Sequence, residues 1–304
     1  MYFPISNVTI SPVLLAGVGF IVGILGGFFG VGGGFLAGPT MLLLGVPGNF
    51  VVGTDLAHMT GKSIIAARRH HALGHVDLKL GGLMIAGTVF GIEAGAQIIE
   101  YLKHLAPGTL EMVLNGVYLV LLLGLSVFML WEGFRATRQI TDATLPVREV
   151  STLSAFTQRV QRVRIPPMIR LPASGIESIS LWLILFTGFT TGLLAGVLGV
   201  GGGFIRMPAL IYLLGIPTHV AVGTDLFEIV FSAGYGTLTH AIKGNVDILM
   251  ALVMHTGAAI GAQMGAQATR YVSGPRLRIA FAFLPLLGAI MLMINLITGG
   301  AGAH

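Results

Sequence analysis

The 304-residue chain is 54% hydrophobic and only 10% charged, where an ordinary soluble domain carries about 25% charged residues. That balance argues against a soluble enzyme, and the absence of cysteine excludes a disulfide scaffold, an iron–sulfur cluster, a cysteine-ligated zinc and a thiol nucleophile. With a mean hydropathy of +0.88, the chain reads as an all-α integral membrane protein whose net charge of +5 has meaning only by position.

Residues 1 to 11 hold no Lys or Arg, so no cleaved leader is expected there. Eight apolar stretches follow, near 12–45, 51–67, 80–99, 110–131, 179–215, 221–239, 246–268 and 277–298. Between the fourth and fifth, Arg135, Arg138, Arg148, Arg159, Arg162, Arg164 and Arg170 face only Asp142, Glu149 and Glu177. This stretch is also broken by Pro146, Pro166, Pro167 and Pro172. It reads as a basic linker of loops with one short surface helix around Ser151 to Arg164. The expected organisation is membrane repeat 1 over 1–132, a cytoplasmic linker over 133–178 and membrane repeat 2 over 179–304.

Self-comparison supports that division. GVGGGF at Gly30 to Phe35, followed by Pro39, returns at Gly199 to Phe204, followed by Pro208, an offset of 169. One inserted residue later, VGTDL at 52–56 returns at 222–226, His70 as His240, and Val76-Asp77 as Val246-Asp247. Gly87, Gly91 and Gly95 return as Gly257, Gly261 and Gly265. These last six read as small-residue packing faces between helices.

Each repeat opens on an apolar segment interrupted by G-V-G-G-G. Unbroken helix over 12–45 would run about 51 Å, too long for a hydrocarbon core of about 30 Å. The segment therefore reads as a re-entrant hairpin with its glycine tip near mid-membrane, followed by three crossings. That count makes the repeats inverted. Arg68, Arg69, Lys79, the seven linker arginines, Arg270, Arg276 and Arg278 then fall inside, against Lys103 and Lys243 outside, 13 to 2. Parallel repeats give 11 to 4, so positive-inside bias favours the inverted arrangement.

Gly61-Lys62-Ser63 lacks the leading glycine of a phosphate-binding loop, since position 56 is Leu56. GVGGGF lacks the last glycine of a dinucleotide fingerprint, because Phe35 and Phe204 stand there. His70, His71 and His75 read as a basic juxtamembrane loop, and no metal, cofactor, nucleic acid or catalytic residue is expected.

What remains is passage of a solute. A helix that starts inside the membrane presents unpaired N–H groups and the positive end of its dipole, an anion site that only glycine leaves uncovered. Gly32, Gly33, Gly34, Gly201, Gly202 and Gly203 are the expected donors to a small oxyanion, with Phe35 and Phe204 beside it either as core packing, the favoured role, or as thin gates.

The doubled GVGGGF, the following Pro39 or Pro208 and the VGTDL stretches resemble the TauE/SafE family, the toluene sulfonate uptake permeases. The resemblance covers nearly the whole chain outside the linker. It implies a multi-pass transporter in a prokaryotic inner membrane, carrying small sulfur-containing anions such as sulfite, sulfonates, sulfoacetate or thiosulfate.

Ionisable groups inside spans are costly and often functional. Arg206, whose repeat counterpart is Ala37, is the expected side-chain cation on the anion. Asp55 and Asp225, each after Thr54 or Thr224, read either as helix caps or as coupling groups. His58 and Glu228 occupy equivalent positions, open to a contact between the halves, and Lys62 is a second cation or a snorkelling residue. A secondary transporter with alternating access is expected. Export is the expected direction, because the inside-negative potential drives anions outward by roughly 2.3 kcal/mol per charge per 100 mV. An anion channel, or a proton- or sodium-coupled uptake permease for organosulfonates, are the competing readings. Oligomeric state, a homodimer included, is left open.

Overall fold

A computed structural model describes residues 1–103, 116–117, 119–132, 155–162, 164–198 and 202–297. Two short strands, β1 (Tyr2–Phe3) and β2 (Val8–Thr9), precede helices α1 (Pro12–Phe29), α2 (Gly34–Leu43), α3 (Gly48–Ala72) and α4 (Leu78–Lys103). After α5 (Leu119–Glu132) come α6 (Ala155–Gln161) and a second strand pair, β3 (Met168–Leu171) and β4 (Ile176–Ser180). The chain continues through α7 (Leu181–Leu198), α8 (Gly203–Pro208), α9 (Thr218–Ile242), α10 (Ile248–Ala268) and α11 (Gly274–Ile297). α8 runs on as a π-helical turn over Ala209–Leu214, where Pro208 removes a backbone donor from the α-helical ladder.

The expected apolar stretches are helical where they are described, apart from the glycine breaks and a few residues at their ends. Among the described residues, three helices suffice by length and composition to cross a membrane: Pro12–Phe29, Leu78–Gly95 and Ile248–Tyr271. α3 and α9, 25 residues each, are long enough but carry buried Asp55, His58, Lys62, Asp225 and Glu228, which lowers their hydropathy.

Packing joins the two sequence repeats to each other. Gly19, Gly23 and Gly27 of α1 lie against Met254, Ala258 and Ala262 of α10, in that order, so these helices run parallel. Their counterparts do the same: Gly188, Gly192 and Gly196 of α7 lie against Met84, Thr88 and Ile92 of α4. A methyl on Gly23 would sit 2.6 Å from the Ala258 carbonyl oxygen, so the backbones touch. In lipid, where helix association rests on van der Waals contact, small residues serve this purpose. Gly87, Gly91, Gly95, Gly257, Gly261 and Gly265 complete the two seams as expected from their spacing.

α3 and α9 pack antiparallel. Gly53 meets His240 and Asn245, Gly223 meets His70 and His75, and Thr60 Oγ1 lies 3.4 Å from Thr237 Oγ1. Helix starts are capped across the repeats. Asp77 and Asp247 accept from Leu80 N (2.9 Å) and Met250 N (3.1 Å). Their own N–H groups donate to Thr224 Oγ1 and Thr54 Oγ1 at 2.9 and 3.0 Å.

Residues 168–180, read above mostly as linker loop, form a hairpin matching residues 2–9. Leu171-Pro172-Ala173-Ser174-Gly175 repeats Phe3-Pro4-Ile5-Ser6-Asn7, and both fifth positions have positive φ, 69° at Gly175 and 55° at Asn7. Ser6 Oγ donates to Asp247 (2.7 Å) and Ser174 Oγ to Asp77 (2.6 Å), so each hairpin closes a cap from the other repeat. The linker's proline and arginine content hid this pattern. The expected short helix is present as α6, and residues 133–154 lie outside the described part.

Candidate functional site

Both glycine runs are breaks. α1 ends on Gly30 at φ 81°, and α2 starts from Gly33 at φ 76°. α8 starts from Gly202 at φ 73°. An L side chain is strained at such angles, so glycine carries the turns. Neither α2 nor α8 has a side-chain cap, leaving the first-turn N–H groups to the tip. The tips meet: a methyl on Gly203 would lie 2.9 Å from Val31 Cα and from Ile229 Cδ1, and one on Gly32 would touch Met59 and Ile229. Gly34 is buried beside them, while Gly201 and the side chain of Phe35 lie outside the described residues. Phe204 is buried in the main apolar core with Met84 and Phe281.

The hairpin arms are unequal. Gly33 packs on Val22, two turns before the end of α1, so α1 overshoots the start of α2 and the chain folds back through Gly30 to Gly33. That accounts for the 18-residue length of α1 against the 10 residues of α2.

Two buried ionic clusters flank the α3–α9 seam of Leu56, Met59, Ile229 and Ala233. In the first, His58 Nδ1 lies 3.5 Å from Asp55 Oδ1, and Lys62 is fully buried with no hydrogen-bond partner at Nζ. Lys62 Nζ would be 3.1 Å from a methyl on Gly33. His58 Nε2, Ser63 Oγ and His255 Nδ1 are also unpartnered, and the His255 ring rests on Gly61. In the second, Arg206 Nη1 donates to Asp225 Oδ1 at 2.8 Å and also pairs with Glu228 Oε2. Ser232 Oγ donates to Glu228 Oε2 at 3.2 Å.

The halves solve one problem with different residues. Lys62 stands by Gly33, and Arg206 Nη2 would be 3.0 Å from a methyl on Gly202, its repeat equivalent. Yet Lys62 comes from α3, and its own counterpart is Ser232, while Arg206 comes from α8, opposite Ala37.

Several expectations change. Lys62 does not snorkel; like Arg206, it is buried. Arg206 already holds two carboxylates, so among the described residues the cation without a hydrogen-bond partner at the tips is Lys62. Asp55 and Asp225 are not caps, because each lies seven residues inside its helix. His58 and Glu228 do not meet, each having its partners in its own cluster. Thr54 and Thr224 face the starts of α10 and α4 rather than the clusters. Sequence reasoning missed Ser232, although it stands one turn after Glu228 and aligns with Lys62.

A vestibule runs between α3, α4, α7 and α9, lined by Val52, Glu93, Ala195, Ser232, Tyr235 and Lys243 among others. It follows α9 for about 16 Å from Lys243 to Ser232. Ala195 at its wall touches the Gly202 tip.

Apolar helices zipped through glycine, broken helices meeting tip to tip, and ionic groups buried beside them define a membrane transporter. A family model described as "Sulfite exporter TauE/SafE" matches residues 15–292, and the chain belongs to that family. The "Probable membrane transporter protein YunE" of Bacillus subtilis is 26% identical over 268 residues, covering 86% of this chain and 89% of the relative. "Probable membrane transporter protein MJ0441" of Methanocaldococcus jannaschii is 25% identical over 297 residues, 92% and 95% of the two chains. "Sulfite exporter TauE/SafE family protein 6" of Arabidopsis thaliana is 29% identical over 114 residues, 38% of this chain and 26% of the relative. No solved structure gives a significant match.

Proposed function

We propose that the protein is a secondary transporter of small sulfur-containing anions, sulfite, sulfonates, sulfoacetate or thiosulfate, working by alternating access in a prokaryotic inner membrane. The observation that carries this reading is Lys62, a buried ammonium without a hydrogen-bond partner held against Gly33 where the two broken helices meet. A buried ammonium without hydrogen-bond acceptors is costly, and an oxyanion supplies the missing acceptors. The α2 amides at Gly34, His58 Nε2 and Ser63 are the further donors proposed for it. Backbone and ammonium donors read charge and oxygens without selecting one substituent, which suits a range of sulfur oxyanions.

The same reading takes the halves as inverted repeats with the linker cytoplasmic, supported by the antiparallel α3–α9 pair and the 13-to-2 charge distribution. An anion moving alone is driven out by the membrane potential, so export is the direction proposed for an uncoupled cycle. Purified protein in liposomes, screened for flux of sulfite, methanesulfonate, thiosulfate and sulfate under imposed gradients, tests it. Saturable flux of one or more sulfur anions is expected. Ohmic, unsaturable current would assign a channel, and no flux of any of the four would refute the substrate class.

A further inference from the structure

Resting on the transport reading above, we propose that Asp225 and Glu228 form a proton-loading site, filled from the vestibule at the Lys243 end through Ser232, and that its proton travels with the anion. The two halves differ in charge balance. The first cluster holds one carboxylate, Asp55, and one ammonium, Lys62, around the imidazole of His58. The second holds two carboxyl groups against the single guanidinium of Arg206, all three buried, with exposures of 0%, 0% and 1% for Arg206, Asp225 and Glu228. A sealed cluster of this composition is neutral only with one proton on the carboxyl pair.

Among the described residues, no other cation compensates. On α3, Lys62 stands with Asp55 and His58 at the first hairpin, and His255 on α10 lies over Gly61 beside them. α4 brings Glu93 to the vestibule wall and Asp77 to the far end of α9, where it is tied to Ser174. On α11, Arg278 donates to Thr218 at the start of α9 and lies over Tyr212. α1 and α7 contain no ionisable side chain.

Access is built in. Ser232 lines the vestibule and donates to Glu228, while Glu93, His240 and Lys243 line the same cavity. Asp225 Oδ2 and Glu228 Oε1 are unpartnered, as are Arg206 Nε and Nη2. A hard metal cation would need about six oxygen ligands, and two free carboxyl oxygens beside a guanidinium do not provide them. A proton needs one. Its binding weakens the hold of the carboxyl pair on Arg206 and turns the guanidinium's free N–H groups over to an incoming oxyanion. One proton with one monoanion moves no net charge, so the membrane potential drops out and the pH gradient drives the cycle.

Two measurements on the full-length protein test this separately from anion transport. First, dicyclohexylcarbodiimide, which attacks protonated carboxyl groups in apolar sites, is applied without any anion and its adduct located by peptide mass. An adduct on Asp225 or Glu228 that fades as pH rises is expected. No adduct there at any pH from acidic to alkaline overturns the proposal, whatever the flux results. Second, methanesulfonate and thiosulfate, which stay ionised across the accessible pH range and cannot carry the proton themselves, are driven into liposomes while external pH is followed. Wild-type influx should remove one proton per methanesulfonate. Glu228→Gln, checked for a monodisperse gel-filtration profile, should lower the number of protons moved per anion, and Ser232→Ala should slow proton loading. Anion influx in the wild type with no proton movement, or unchanged proton movement in Glu228→Gln, overturns the proposal. If neither anion moves in the wild type, the transport reading fails for these probes and the adduct alone decides.

Discussion

Replacing Lys62 by Met should weaken both anion binding and the fold, by two separable amounts. Met keeps the length of the side chain and removes the charge, and the wild-type ammonium is 1% exposed with no hydrogen-bond partner. Relieving an unsatisfied buried polar group is worth about 1–3 kcal/mol, more for a charged one. Met also leaves the buried Asp55 carboxylate of the same cluster without its counter-charge, a larger cost of about 3–5 kcal/mol, so without anion Lys62→Met should unfold several degrees lower than wild type in the same detergent. An anion bound at this site loses a charge-assisted hydrogen bond worth about 1.5–3 kcal/mol, so the half-saturating concentration for flux should rise roughly 10- to 150-fold. Thermal unfolding followed by circular dichroism and concentration-dependent flux in liposomes measure the two effects. An unchanged half-saturating concentration would remove Lys62 from the anion site. A higher unfolding temperature would show that Asp55 does not depend on the ammonium for its counter-charge.

Gly23→Ala should cost about 1–3 kcal/mol, because the added methyl meets the Ala258 carbonyl at 2.6 Å. Gly82→Ala, with nothing within 4 Å, should gain about 0.5–1 kcal/mol of helix propensity; equal effects on thermal unfolding would refute the close seam. Under the inverted topology, an impermeant thiol reagent on intact cells should label Lys243→Cys and spare Ser273→Cys in this cysteine-free chain, and the reverse pattern would restore the parallel arrangement. Asp77→Ala should lose about 1–2 kcal/mol from the α4 cap and detach Ser174, read as a lower unfolding temperature than that of Ser174→Ala alone.

The sequence made the helices and their breaks legible because both are local. Apolar length specifies a span, and GVGGG cannot continue a helix. It also held the two seams, since Gly19, Gly23 and Gly27 repeat at Gly188, Gly192 and Gly196 with the four-residue spacing that was read only for their partners. Pairing was not legible. Arg206 and Asp225 are 19 positions apart and meet only when α8 folds back on α9, so Arg206 looked like a free cation. Lys62 read equally as a second cation or a snorkelling residue, because burial depends on how α1 overshoots α2. The second hairpin was masked by its setting: a Pro-x-Ser turn is a weak signal in a stretch rich in proline and arginine, and only its Asp77 contact reveals the match to Ser6.

The mechanical consequence of this packing bears on how a site between the tips could face each side in turn. α1 is zipped to α10 and α4 to α7 at backbone distance, so each pair moves as one body; sliding either would drive carbonyl oxygens into neighbouring Cα atoms. α3 and α9 meet instead through side chains, Leu56, Met59, Ile229 and Ala233, which can repack at small cost. Both glycine tips rest on that seam through Met59 and Ile229. In this structure the space beside Ser232 connects to the Lys243 end, whereas the equivalent position, Lys62, is sealed. For equivalent helices that run antiparallel, exchanging the two local conformations would seal Ser232 and open Lys62 toward the Arg69 end. The proposed proton and anion subsites therefore lie in the two elements that such an exchange would expose alternately. That arrangement gives a physical reason for chemically unlike halves to be kept on a duplicated backbone.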